Sequence, residues 1–242
     1  MRFLRLVTAT LVLSSALAPA VLSAQERDRK EPAIVVSGEG DAAIAPDLAI
    51  VSLGVAETRK TAREALDVAN AAMSAVIDAL KKQGISPRDL QTSGLSIQAQ
   101  YNYPQNEDGT PKPPVLTGYL VSNTLTVRIR DLAKVGAVID QAVTLGVNQG
   151  GDIRFSNEDP AKTVTEARKE AVKDAITKAQ TLADAAGVKL GRILEITESS
   201  NTEDPRPMMT ARMAKQAEDA VPVEAGENSY SVNVNVTFAI DQ

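Results

Sequence analysis

Apolar and polar residues alternate along several segments of the chain, and shorter apolar runs are rich in β-branched residues. Both patterns favour β-strands. They predict seven strands, at 34–36, 48–55, 95–103, 121–129, 153–155, 193–196 and 232–240. In the third of these, every second residue is apolar: Leu95, Ile97, Ala99, Tyr101 and Tyr103. We therefore expect this strand to bury the face that carries these side chains.

Three other segments repeat their apolar residues with the 3.6-residue period of a helix. The first begins at Thr61 and Glu64, which fit a capping box, and ends at Gly84. The second runs over 131–146 with Asp131 as its N-cap, and the third runs over 159–187, starting at an Asp-Pro pair. The predicted inner face of the third helix is narrow and consists of Val164, Ala167, Ala171, Ala175, Ile176, Ala179, Leu182 and Ala186.

The order of these elements repeats along the chain. Segments 48–130 and 151–240 each consist of a strand, a helix, a glycine, a strand, a long loop and a strand. We therefore predict an α+β fold for residues 34–242, built of two βαββ-like units whose antiparallel or mixed sheets are covered by helices and joined by the helix at 131–146. Chance similarity between two amphipathic patterns is the alternative explanation.

The prediction places two irregular, proline-containing segments, 104–117 and 199–227, at equivalent positions in the two units. Loops of this length are usually functional or disordered. We expect both loops to project from the fold.

The N-terminal end has the three zones of a secretory signal peptide. Residues 1–24 contain two arginines, then a short apolar run, then small residues. The run is too short for a membrane span of about 20 residues, although a buried helix or an anchor is the alternative. Cleavage after Ala24, or alternatively after Ala20, would leave a charged, flexible segment at 25–33 and place the mature protein in the periplasm.

The composition excludes several kinds of chemistry. The chain has no Cys and no His, so it has no disulfide, thiol nucleophile, Cys/His metal site or His general base. A net charge of −5 and an aromatic content of 3% also argue against nucleic-acid binding, because phosphate-neutralising charge and stacking side chains are scarce.

The remaining motifs carry little chemistry. Gly38-Glu39-Gly40 formally matches part of a dinucleotide fingerprint, but Pro46 and a second strand follow where a helix is needed, so we interpret it as a tight glycine turn. Ser37, Ser52 and Ser122 have no His to activate them, and a Ser–Lys pair stays open. The acidic runs at 106–109 and 157–159 lack the spacing of a calcium loop and indicate turns. We therefore predict no catalytic, cofactor-binding or metal-binding residue.

Seven segments together resemble the SIMPL-domain family of bacterial envelope proteins. They are VSGEG at 36–40, APD at 45–47, TAREA at 61–65, DLQT at 89–92, TLGVNQGGD at 144–152, TLADAAGV at 181–188 and AGENSY at 225–230. The resemblance implies an α+β fold, a periplasmic or outer-membrane-associated location and assembly into large ring- or channel-like oligomers. It also implies a link to oxidative-stress defence, as in some members, and transfers no catalytic residue.

We therefore expect a non-enzymatic envelope protein that self-assembles into a large oligomer. The candidate contact residues in the two loops are Tyr101, Tyr103, Pro104, Pro113, Pro114, Met208, Met209 and Met213. The candidate subunit-edge strand contains Val232, Val234 and Val236, because its alternation is the cleanest in the chain. The expected partners are further copies of the chain, another envelope protein or the outer-membrane surface, and no nucleic acid or cofactor.

Two alternatives stay open. One is a periplasmic binding or chaperone-like module in oxidative-stress defence, since the methionines of the second loop would form an adaptable apolar patch or an oxidation site. The other is an enzyme that uses a serine and a lysine.

Overall fold

A computed structural model describes residues 31–199, 206–208 and 221–241, with only the backbone described at 206–208. The predicted signal peptide and most of the predicted flexible segment lie outside these residues. The strands are β1 (Ala33–Ile44), β2 (Leu48–Arg59), β3 (Leu90–Asn102), β4 (Val115–Ile129), β5 (Gln149–Ser156), β6 (Lys189–Ser199), β7 (Arg206–Met208) and β8 (Glu227–Asp241). The α-helices are α1 (Ala62–Lys82), α2 (Val135–Thr144) and α3 (Ala161–Ala186).

The described strands form two antiparallel sheets, which confirms the α+β fold class. One sheet has the strand order β3-β4-β2-β5. The other has the order β1-β8-β6, and the short β7 also pairs with β8. Of the two sheet types that the sequence left open, antiparallel and mixed, the described strand pairs are all antiparallel.

The second sheet contains the N-terminal strand β1, which the order of elements did not predict. The predicted unit at 151–240 begins with β5, but β5 pairs with β2 of the first sheet. Beside β8, the N-terminal strand β1 occupies the position that β2 occupies beside β4. Each sheet therefore contains a strand from the other half of the chain.

Two hydrophobic cores lie between the sheets and their helices. The larger core packs α1 and α2 against β2 and β4, and its largest fully buried side chains include Leu53, Leu80 and Leu125. The smaller core packs α3 against β1 and β8. The buried side chains of α3 recur every four residues: Thr163, Ala167, Ala171, Ala175, Ala179 and Ala183.

The close packing of α3 on β1 depends on two glycines in the strand. A Cβ at Gly38 would lie 2.1 Å from the carbonyl oxygen of Ala171, and a Cβ at Gly40 would lie 2.2 Å from that of Ala167. Our interpretation of these glycines as a tight turn is therefore wrong, because they lie inside β1 and make room for a helix.

The predicted inner face of α3 needs a matching correction. Ile176 and Leu182 are 43% and 50% exposed, and Ala186 is exposed as well. The small side chains of the alanine stripe face the sheet because β1 lies too close for larger ones. Ile176 and Leu182, which we placed inside, are therefore turned toward solvent, whereas Val164 is partly buried against the core.

The helix ends follow the sequence signals closely. In the confirmed capping box of α1, the Glu64 N–H donates to Thr61 Oγ1 at 3.2 Å and the Thr61 N–H donates to the Glu64 carboxylate at 3.3 Å. The glycine predicted to end α3, Gly187, has a left-handed φ of 70°. Asp131, however, precedes a single 3-10 turn without a side-chain cap, and α2 begins only at Val135.

Buried asparagines join the two sheets where the chain passes from one to the other. Asn157 Nδ2 donates to the carbonyl of Ala45 at 2.8 Å, between β1 and β2. Asn157 Oδ1 accepts from Asn228 Nδ2 at 2.8 Å and from the Tyr230 hydroxyl at 3.1 Å. Burial, with a smaller effect of the charge on Asp47, raises the pKa of Tyr230, so its hydroxyl stays a donor.

Candidate subunit interface

The edge strand β3 carries apolar side chains that the described chain does not cover. Ile97 lies directly opposite Val121 of β4, which is fully buried under α1, so both side chains project to the helix-bearing face. Because α1 packs mainly over β2 and β4, Leu95 is 57% exposed and Ile97 is 49% exposed. Within the described residues, our prediction that this strand buries its apolar face is therefore wrong.

The same apolar surface continues to the end of the β3–β4 hairpin. Tyr101 pairs with Leu116 across the hairpin, and their side chains are 49% and 46% exposed. We call Leu95, Ile97, Tyr101 and Leu116 the β3 strip. Next to it, Tyr103 is 70% exposed.

The candidate prolines lie at this same end of the sheet. Pro113 and Pro114 are exposed and Pro104 is half-buried. The structure thus brings together the candidate loop residues at Tyr101, Tyr103, Pro104, Pro113 and Pro114.

The loop that joins β3 and β4 is ordered by its own hydrogen bonds. Asp108 Oδ1 accepts from the Thr110 N–H at 2.9 Å, and Asn106 Nδ2 donates to Thr110 Oγ1 at 2.7 Å. The bonds from Thr110 lower the pKa of the Asp108 carboxyl. The Lys112 N–H donates to the Pro104 carbonyl at 2.9 Å and closes the loop. These bonds are the turn chemistry predicted for this acidic run.

The edge strand of the other sheet carries a comparable pair of uncovered side chains. Ile193 lies opposite Phe238, and Ile196 lies opposite Val236. Both partners are buried under α3, but α3 packs mainly over β1 and β8, so Ile193 is 42% exposed and Ile196 is 50% exposed. We call Ile193 and Ile196 the β6 strip.

Sequence reasoning predicted a strand here but missed the β6 strip as a contact surface. Register shifts within β6 place residues three apart on the same face of the sheet. The period of two that identifies an amphipathic strand is therefore absent. The sequence did offer one signal, which is the spacing of three between two large aliphatic residues within the predicted strand 193–196.

The valines chosen as a subunit edge lie at the centre of their sheet instead. β8 pairs with β1 on one side and with β6 on the other. Val232, Val234 and Val236 face α3 and are 6%, 2% and 0% exposed. Alternation shows that one face of a strand is buried, but it does not show how many neighbours the strand has. The prediction of an edge at these valines is wrong.

One of the three candidate methionines falls within the described residues. The backbone of Met208 pairs with Glu227 at the start of β8. Met209 and Met213 lie outside the described residues. The methionine patch stays a prediction.

A charged cluster fixes the far end of β4. The Arg130 guanidinium binds the Glu158 carboxylate through two hydrogen bonds of 3.0 and 2.7 Å and reaches the buried Asp89 at 2.5 Å. These contacts hold the pKa of Glu158 below its usual value and raise that of Arg130. Since the two carboxylates share one guanidinium, the cluster joins segments of the chain and has no free base or nucleophile.

Ser37 and Lys178 are a serine and a lysine that lie in the same pocket. They line an apolar groove of about 360 Å³ between β1 and α3. The Ser37 hydroxyl donates to Asn235 Oδ1 at 2.6 Å, whereas Lys178 Nζ contacts the Ser37 carbonyl at 3.1 Å and Asp174 at 2.6 Å. A Ser–Lys nucleophile needs the hydroxyl to bond to a free amine, which this arrangement does not provide.

The part of the chain that the structure describes offers neither a metal site nor a membrane-spanning helix. Within residues 31–199, 206–208 and 221–241, no cluster of three or more potential metal-binding side chains is present. Among those residues, too, none of the helices combines the length and hydropathy needed to cross a bilayer. The other candidate nucleophiles, Ser52 and Ser122, lie in paired strands opposite Thr126 and Ala56.

The sequence matches known proteins along nearly its whole length. The family model of SIMPL, described as a protein of unknown function (DUF541), matches residues 34–238. The chain belongs to the SIMPL family. This confirms the resemblance that the seven segments indicated. This family description assigns no reaction to SIMPL proteins.

Several relatives of this SIMPL-family chain cover almost all of it. It is 48% identical to the 26 kDa periplasmic immunogenic protein of Brucella melitensis biotype 1 over 243 residues, which is 98% of this chain and 97% of the relative. The protein of the same name from Brucella abortus strain S19 is also 48% identical over the same shares. The uncharacterized protein YggE of Escherichia coli strain K12 is 30% identical over 87% of this chain and 84% of that protein.

Proposed function

We propose that this SIMPL-family chain is a non-enzymatic protein of the periplasm that self-assembles through the open edges of β3 and β6. The observation that carries the proposal is the β3 strip. Its side chains are 46–57% exposed, although the facing position on the next strand, Val121, is fully buried. An amphipathic strand whose apolar face has no cover among the described residues favours a cover from a second chain.

The two strips together support a head-to-tail contact. Each is on the helix-bearing face of an edge strand, and edge strands present unpaired backbone groups to other chains. Pairing of β3 of one copy with β6 of the next would bury both strips and satisfy both edges. Burying a Leu or Ile side chain contributes about 1.5–3 kcal/mol. Such a heterologous contact generates a ring when its rotation closes, in keeping with the expected ring-like oligomer.

The proposed location is the periplasm. The predicted signal peptide at 1–24 supports it, and so does the word periplasmic in the names of the two Brucella relatives. Association with the outer membrane would follow if an assembled oligomer presented its hairpin tips, with Tyr103 and the exposed prolines, to the membrane surface.

Assembly through β3 is tested by a charge placed on the strip. We expect mature protein, residues 25–242, to have a discrete multiple of the protomer mass by light scattering on a sizing column. Ile97→Lys should lower that mass, since burying an ammonium in an apolar contact is unfavourable. Gln98→Lys is the matched control, because it adds the same charge on the opposite face of the same strand and should keep the wild-type mass.

Two results would contradict self-assembly through this strand. One is wild-type protein that stays monomeric over the whole concentration range. The other is an Ile97→Lys variant with the wild-type mass and an unchanged circular dichroism spectrum.

The same surface also supports the alternative, a binding or chaperone-like module in oxidative-stress defence. An open edge strand with an apolar face can take an extended segment of a client protein by strand addition. In that case the wild type is monomeric, and Ile97→Lys abolishes its protection of an aggregating client. Deletion of residues 203–221, which contain the candidate methionines, tests the loop separately through partner capture and stress survival.

A further inference from the structure

Another edge strand, β1, differs from β3 and β6 because side chains of the same chain bind its outer edge. Among the described strands, β1 pairs only with β8. Its other edge would therefore offer backbone N–H and C=O groups to an incoming chain. Ser37 and Glu39 are two residues apart, so their backbone groups point to the same side of the strand.

Side chains of α3 bind these outward-facing groups. Asp174 Oδ2 accepts from the Glu39 N–H at 2.9 Å, and Lys178 Nζ donates to the Ser37 carbonyl at 3.1 Å. Asp174 and Lys178 are one helical turn apart and form an ion pair of 2.6 Å. The ion pair and the amide bond also keep the pKa of the Asp174 carboxyl below its usual value, so it stays an acceptor.

The position of α3 makes this cover possible. Gly38 and Gly40 have no Cβ, so the helix backbone approaches the strand closely enough for two ordinary side chains to reach around its edge. Along the described residues of β3 and β6, no helix side chain makes a comparable bond to the strand backbone.

We propose that Asp174 and Lys178 determine the specificity of self-assembly by closing the β1 edge to strand addition. Association through β1 is then blocked, and β3 and β6 are left as the edges whose uncovered apolar side chains favour a neighbouring copy. This inference rests on the proposed function, because it concerns which edges take part in it. Proteins commonly blunt a free edge with charged side chains or a covering helix, and here one helix supplies both.

The test compares two charge-neutral double variants of the same helix. Asp174→Ala with Lys178→Ala removes the cover. Glu170→Ala with Lys173→Ala removes a neighbouring ion pair of 3.7 Å and leaves the cover in place. By light scattering, the first variant should form species whose mass rises with concentration to at least about twice that of the wild type, since each protomer gains one more edge for a neighbour. The control should keep the wild-type mass.

A rescue variant separates strand addition from simple unfolding. Val35 lies on the same strand and is 66% exposed, so Val35→Lys adds an edge charge without disturbing the core. In the Asp174→Ala, Lys178→Ala background it should return the mass to that of the wild type. Large species that Val35→Lys does not reverse, together with a lowered melting temperature, would indicate nonspecific aggregation and overturn the inference.

The failures of the inference and of the proposed function are distinct. A wild-type oligomer with an unchanged double variant overturns the closed edge alone. A wild-type monomer overturns self-assembly through β3 and β6, while growth of the double variant from that monomer would still support a closed β1 edge.

Discussion

At the scale of single residues, the absence of a side chain matters most at two glycines. Gly38 and Gly40 let α3 lie close to β1, and this closeness places Asp174 and Lys178 at the strand edge. The sequence marks the two glycines clearly, but a Gly-x-Gly pattern after a strand fits a turn as well as a close approach. Only the alanines of α3, which recur every four residues and lie more than a hundred residues later, indicate a close approach and not a turn.

Adding a methyl group at this contact should destabilise the fold. We expect Gly38→Ala to lower the free energy of unfolding by about 1–3 kcal/mol, because the added Cβ overlaps the Ala171 carbonyl and the helix must move. Urea unfolding followed by circular dichroism measures this. Val35→Ala, at an exposed position of the same strand, should stay within about 0.5 kcal/mol of the wild type. Equal effects at the two positions would contradict the packing account.

At the scale of elements, local signals predicted more than non-local ones. The capping box at Thr61 and the helix end at Gly187 follow from a few neighbouring residues, and both are confirmed. The partners of β5 and β8 depend on residues far apart in sequence, so the pattern of each strand could not show that β5 joins the first sheet or that β8 lies between two strands. The face of β3 was identified as apolar, but its exposure could not be predicted because the reach of α1 across the sheet is a tertiary property.

The charged cluster at the end of β4 predicts how stability depends on pH. Arg130 lowers the folded-state pKa of Glu158, so the unfolded pKa is the higher one. The ion pair therefore contributes fully above the unfolded pKa, and its contribution is lost as pH falls through the folded one.

Glu158→Gln should reduce the fall in melting temperature over this acid range. Glu107→Gln, in the β3–β4 loop, is the control and should leave the pH profile unchanged. Identical acid profiles for the wild type and Glu158→Gln would rule out this contribution.

At the scale of the whole molecule, each sheet takes a strand from the other half of the chain, and a buried polar cluster joins the two sheets. Asn157 binds the β1–β2 link through Ala45 and binds β8 through Asn228 and Tyr230. Among the described residues, the edge strands β3 and β6 carry uncovered apolar side chains, the edge of β1 is bound by side chains of α3, and β5 is the fourth edge strand. This distribution of edges is the central claim, and it predicts a head-to-tail assembly of copies.

Cysteine cross-linking tests that claim most directly, because the natural chain contains no Cys and the engineered thiols are the only ones. A chain with both Ile97→Cys and Ile193→Cys should form a ladder of disulfide-linked multimers under mild oxidation, since each protomer links through β3 on one side and β6 on the other. Mixing the two single variants should give a mixed dimer in preference to either symmetric dimer. Symmetric dimers alone, or no cross-link above that of Gln98→Cys, would contradict the head-to-tail assembly.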